Sequence, residues 1–205
     1  MNRPLVCAGF LILALGARGA AQDPRFSRLD AETRGVVAAI LDSARARGLP
    51  GEPLVDRALE GAAKGAPRTA IVAAVRRLAA DLRHARDALG PGASPAELDA
   101  AAAALRAGAT ADVLTHLRRE RGGRPIIIPL AVLADLVARG VPADTAARAV
   151  LALAAESDDQ LVEFRRTVER DIALGAPPGA AAEGRLATDA YGGVQTPARP
   201  RPGRP

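Results

Sequence analysis

The chain has 205 residues and a net charge of +5 at pH 7, and 49% of its residues are hydrophobic but only 2% aromatic. A single cysteine excludes a disulfide scaffold, and the shortage of aromatic residues argues against an aromatic-rich β-barrel. The length predicts one domain, with or without tails. Composition alone indicates no particular chemistry.

The positive charge lies mainly at the two ends of the chain. Residues 1–21 and residues 176–205 each carry +2, which leaves +1 for residues 22–175. Surfaces that bind nucleic acids are basic and often present aromatic side chains for stacking. We therefore expect no nucleic-acid partner. One cluster of arginines could nevertheless contact phosphate groups. It consists of Arg118, Arg119, Arg121 and Arg124.

The first 21 residues have the order of a secretory signal peptide. Arg3 supplies a positive charge, residues 5–15 are apolar, and small residues follow as far as Ala21. The small residues predict cleavage after Ala21, which would give a periplasmic or secreted chain. The apolar run is too short to cross a bilayer of about 30 Å, so we expect no stable membrane span. The alternative is an uncleaved hydrophobic anchor. Cys7 precedes most of the run, which argues against lipidation.

A short pattern recurs along residues 22–175: glycine, then an apolar residue, then proline, threonine or serine. The glycine adopts the left-handed conformation that ends a helix, and the apolar residue packs back on the last turn. The third residue then begins the next helix. The six glycines are Gly48, Gly65, Gly92, Gly108, Gly140 and Gly175. Ser94 and Glu97 also form a capping-box pattern.

These turns predict an all-α domain over residues 22–175, with three helical hairpins in tandem after a leading helix near 31–47. The hairpins join residues 53–64 to 68–88, 95–107 to 111–121, and 142–154 to 158–174. Equivalent turns lie 44 and 48 residues apart, a period typical of α-solenoids. The alternative is a compact right-packed helical bundle in which the composition imitates a repeat.

One segment departs from the helical pattern. Ile126, Ile127 and Ile128 lie between Pro125 and Pro129, and each proline favours extended geometry in the residue before it. We predict an extended connection between two units. Its isoleucines either fill the core beneath the third hairpin or form an apolar strip that docks a partner strand or a ligand.

Residues 176–205 are rich in proline, glycine, alanine and arginine. Segments with so few large apolar side chains do not fold alone, so we predict a disordered tail. The tail is either simply solvated or an extended basic tether to an anionic surface.

The sequence contains little that indicates catalysis. Asp112, His116 and Glu120 recur every four residues, so they share one side of a helix and form a weak candidate metal site. Surface ion pairs explain the same spacing. We find no serine–histidine–acid group, phosphate-binding loop or Cys/His cluster, and we expect no cofactor.

We therefore expect an exported helical-repeat protein that acts by binding or scaffolding. The partner would be a protein or polymer of the cell envelope, bound on the concave side of the stacked hairpins. One alternative is a small metal-assisted hydrolase centred on Asp112, His116 and Glu120. Another is a structural spacer with no specific ligand.

Overall fold

The computed structural model describes residues 24–192, and this part of the chain is all-helical, as predicted. A short 3-10 helix, Pro24–Arg28, precedes nine α-helices, and the described residues form no strand. The helices are α1 (Ala31–Ala46), α2 (Glu52–Ala63), α3 (Arg68–Leu89), α4 (Pro95–Arg106), α5 (Ala111–Glu120), α6 (Ile127–Ala138), α7 (Ala143–Ala152), α8 (Asp158–Ala173) and α9 (Pro178–Gly192). The predicted signal peptide and residues 193–205 lie outside the described residues.

Five of the six predicted glycine turns end a helix as expected. In each, the glycine has a positive φ and the next residue donates its N–H to the carbonyl five residues earlier, so the last carbonyls of the helix are satisfied. These glycines are Gly48, Gly65, Gly108, Gly140 and Gly175. The prediction for Gly92 is wrong. Gly90 directly follows the last residue of α3 and takes the left-handed position instead, with φ +81°.

The helices pack as two rows of alternate helices. In the first row α1, α3, α5, α7 and α9 contact one another in series, and in the second row α4, α6 and α8 do the same. α2 and α3 pack together as the first predicted hairpin. The helices of the other two predicted hairpins pack more closely on other helices than on each other: α4 on α3 and α6, and α8 on α6 and α9.

One hydrophobic cluster extends along the described chain from Phe26 to Ala182. Its largest fully buried side chains, apart from Phe26, are leucines and one isoleucine, and alanines fill much of the remaining space. In α3, besides Val72, the buried residues recur every three or four positions along one face: Ile71, Val75, Leu78, Leu82, Ala85 and Leu89. Small side chains allow neighbouring helices to approach closely, so the core is narrow.

The predicted extended connection at Ile126–Ile128 is wrong. Ile126 is the N-terminal cap of α6, and Ile127 and Ile128 form its first turn. Pro129 follows as the third helical residue. A proline is tolerated there because the first N–H groups of a helix have no acceptor within the helix.

The predicted disorder beyond residue 175 is wrong for the stretch that forms α9. This helix packs on α7 and α8, and it buries Ala181 and Ala182. Its alanines favour helix, and its neighbours supply the apolar surface that the segment lacks by itself. The rest of the predicted tail, residues 193–205, lies outside the described part of the chain.

Candidate binding groove

The three residues of the candidate metal site lie on α5 but do not converge. His116 Nε2 is 3.3 Å from Glu120 Oε1, and both side chains are about half exposed. Asp112 is exposed in the first turn of the same helix. Among residues 24–192, no three His, Cys, Asp or Glu side chains are grouped closely enough to hold a metal ion. The structure thus has a surface contact between His116 and Glu120 at this position.

In the arginine cluster at the end of α5, most side chains donate hydrogen bonds to other groups of the protein. The side chain of Arg121 is only 2% exposed, and it donates to Asp158 and to backbone carbonyls of the α5–α6 and α7–α8 connections. Arg124 donates to carbonyls of the same α7–α8 connection. These arginines join α5 to the start of α8, so their donors are not free for a phosphate group.

Glu97, on α4, is a buried carboxylate whose role the sequence reveals only in part. Its oxygens accept hydrogen bonds from the Ser94 backbone and hydroxyl, from Arg118 and from the Ile126 N–H. Burial raises the pKa of Glu97, but the hydrogen bonds from Arg118, Ser94 and Ile126 outweigh it and lower the pKa to about 2. The capping box predicts the Ser94 contact, whereas the link to α5 and α6 depends on tertiary packing.

The isoleucine segment is mostly core. Ile126 is fully buried, and Ile127 and Ile128 are half-buried. Ile128 packs against the main hydrophobic cluster. A docked partner would therefore reach only parts of Ile127 and Ile128, and the three residues do not form an open strip.

The most distinct surface feature lies between α1 and α3, which run side by side in the same direction. Glu32 pairs with Arg68 near the N-terminal ends of these helices, and Arg86 donates to the Gly48 carbonyl near their C-terminal ends at 2.9 Å. Asp30 caps α1 by accepting from the Thr33 N–H at 2.8 Å. The Glu32–Arg68 and Arg86–Gly48 contacts fix the two helices relative to each other, and the α1–α3 groove lies between them.

The floor of the α1–α3 groove is apolar and shallow. Val36, Ala39 and Ile40 of α1 face Ala79 and Ala80 of α3 across it. This section encloses about 340 Å³, and it adjoins a section of about 420 Å³ near Glu32 and Arg68. Both sections are open to solvent, and the floor residues remain partly exposed or exposed. Such a surface fits an extended partner better than an enclosed small molecule.

The edges of this groove are positively charged. Arg47, Arg76 and Arg83 border the first section, and none of the side chains that line it is acidic. The side chains of Arg47 and Arg76 form no hydrogen bond or ion pair with residues 24–192. Arg83 contacts only His84, at 3.3 Å between Nη2 and Nε2. The groove therefore combines apolar side chains with cations that are available to a ligand.

Two other hollows in the described structure contain charges that are paired. Beside α9, Arg185 donates to both carboxylate oxygens of Asp171 at 2.6 and 2.8 Å, near the exposed Leu174. Between α2 and α3, Glu60 accepts from Lys64 and Arg57. In the second hollow, Arg77 alone among the lining charged side chains forms no hydrogen bond or ion pair with the described residues, whereas the first section of the α1–α3 groove has Arg47 and Arg76 and no acidic side chain.

The sequence contains a partial signal for the groove that our predictions missed. Arg76 and Arg83 lie seven residues apart, or about two helical turns, with Ala79 and Ala80 between them. This spacing places both arginines on one side of α3. Their significance depends on α1 being the neighbour on that side, which local patterns do not reveal.

Comparison of the chain with models of protein families, with curated proteins and with solved structures finds no match. Across residues 24–192, no helix is both long enough and apolar enough to span a membrane.

Proposed function

We propose that this chain is an exported, non-catalytic protein that binds a partner of the cell envelope in the α1–α3 groove. One observation carries the proposal: an apolar floor reaches the surface beside Arg47 and Arg76, whose charges are unpaired within the described chain. The side chains lining this section include no histidine and no carboxylate. This section therefore offers contacts for binding but no histidine or carboxylate for acid–base catalysis.

The proposed export depends on the signal-peptide pattern of residues 1–21. It is tested by measuring the intact mass of the protein in fractionated cells that express the full chain. We expect the mass of residues 22–205 in the soluble envelope fraction. A full-length mass in the membrane fraction would contradict cleavage.

We further propose that the domain is a short α-solenoid rather than a compact bundle. The series of contacts between alternate helices supports this arrangement, because stacked helical pairs contact mainly their nearest neighbours. In such a stack the groove between α1 and α3 remains on the surface of the first row.

Binding in the groove is tested by site-specific photo-cross-linking in the exporting cells. A photoreactive residue at Ser43, which is exposed in the groove, should form a discrete cross-linked product. The same residue at Arg119, exposed on α5 and outside the groove, is the matched control. Equal yields of cross-linked product at the two positions, or no product at either, would contradict the proposal. Such a result would favour the alternative of a structural spacer with no specific ligand.

A further inference from the structure

The α1–α3 groove has the length of a helix. Along α1 and its C-terminal cap the lining residues extend from Glu32 to Arg47, which corresponds to roughly 22 Å at 1.5 Å per residue. The two adjoining sections form one continuous track because both include Val36 and Arg76. A helix of about 15 residues fills a track of this length.

The charges along the track also have helical spacing. Arg76 and Arg83 are separated by roughly 10 Å along α3. Arg47, which follows the last residue of α1, lies at the same end of the groove as Arg83. Carboxylates placed seven residues apart on a bound helix would meet Arg76 and Arg83. Small apolar side chains between them would meet the alanines of the floor.

We propose that the occupant of the α1–α3 groove is an acidic amphipathic helix of a partner protein. This inference rests on the proposed function and adds the chemistry of the partner. Charge complementarity selects the acidic helix, because the first section of the groove has three arginines and no acidic side chain. The open shape selects a helix over a small amphiphile, which binds best in an enclosed cavity.

The C-terminal segment of the chain itself does not fit this chemistry. Residues 193–205 contain three arginines and no acidic side chain, so they would be repelled by Arg47 and Arg76. Residues 193–205 are therefore not the occupant that we propose.

The test uses the purified full chain and a labelled peptide of about 16 residues. The peptide carries leucine and alanine at helical spacing on one face, with two glutamates seven residues apart beside them. A second peptide carries glutamine in place of both glutamates. By fluorescence anisotropy, we expect the glutamate peptide to bind about fivefold more tightly at low salt, an advantage that is lost at about 0.3 M salt.

Neighbouring arginines on α3 provide the matched variants. Arg76→Gln should weaken binding of the glutamate peptide about threefold, and the double variant with Arg83→Gln about tenfold. Arg77→Gln removes the same charge but lies in the hollow beside α2, so it should leave the affinity unchanged. Because these side chains are exposed, all the variants should fold like the parent, as checked by circular dichroism.

The inference would be overturned if the two peptides bind equally well or if neither binds. It would also be overturned if Arg76→Gln and Arg77→Gln weaken peptide binding equally, or if the chain self-associates and Arg76→Gln abolishes that self-association. Binding to phosphatidylglycerol vesicles that requires Arg76 would also overturn it in favour of a lipid. If the peptide fails while cross-linking from Ser43 persists, only the inference fails. Loss of the Ser43 product as well would refute the proposed function.

Discussion

Single charged residues in this protein connect helices that are distant in sequence. Glu97 joins α4 to α5 and to the start of α6, because its Oε1 accepts from both Arg118 and the Ile126 N–H. Arg121 in turn joins the end of α5 to the start of α8. With so few aromatic side chains in the core, such polar contacts help to fix the relative positions of the helices.

The low pKa of Glu97 predicts a specific response to acid. Its ordinary pKa is 4.5 and its pKa in the folded chain is about 2. The carboxylate therefore contributes fully to stability above about pH 4.5, and the contribution is lost as the pH falls towards 2. In Glu97→Gln, this part of the acid-induced loss, about 3 kcal/mol, should disappear from the free energy of unfolding.

Urea denaturation between neutral pH and pH 2 measures this effect. Asp99→Asn is the matched control, because Asp99 is an exposed residue of the same helix. If Glu97→Gln loses as much stability in acid as the parent chain, the assigned role of Glu97 is wrong.

Arg121 provides a second prediction at this scale. Arg121→Met leaves Asp158 and the Pro125 carbonyl without their Arg121 donor, and we expect a loss of about 2–4 kcal/mol in the free energy of unfolding. Arg119→Met should change it by less than about 0.5 kcal/mol, because Arg119 is exposed. Chemical denaturation of both variants near neutral pH provides the comparison, and similar losses would contradict the role of Arg121.

At the scale of helices, the sequence predicted the ends and caps of helices correctly where these depend only on residues close together in the chain. The glycine turns and the Ser94 cap depend on residues within about six positions, and five of the six turns form as predicted. The prediction failed at Ile126 because the position of Pro129 within the helix was misassigned. It failed at α9 because packing on α7 and α8 stabilises a segment that composition alone leaves unfolded.

Two helical glycines make the contact between α2 and α3 testable. A Cβ atom at Gly61 would lie 2.8 Å from Ile71 Cγ1, whereas one at Gly35 of α1 would meet nothing within 4 Å. Gly35→Ala should raise the free energy of unfolding by about 0.5–1 kcal/mol through helix propensity. Gly61→Ala should lower it by up to about 2 kcal/mol, because the stiff, buried side chain of Ile71 must move. Thermal unfolding measures both changes, and a gain at Gly61 would contradict this packing.

At the scale of the whole molecule, the α1–α3 groove could not be predicted from the sequence because it depends on which helices are neighbours. The pattern of turns predicts the helices, but it does not reveal that α1 lies beside α3 with Arg47 and Arg76 bordering the same groove. The net charge of residues 22–175 is only +1, so the sequence contained no indication of a basic surface there. That average conceals a local group of cations.

The central claim is that the α1–α3 groove is the binding surface, and cross-linking from Ser43 in exporting cells tests it most directly. We expect the yield of cross-linked product to fall severalfold in the double variant of Arg76→Gln with Arg83→Gln and to be retained in Arg77→Gln, which removes a charge from the other side of α3. It should also be retained in Leu174→Asp, which changes the exposed apolar residue at the end of α8. A yield that the double variant leaves unchanged, or that Leu174→Asp lowers equally, would contradict the claim.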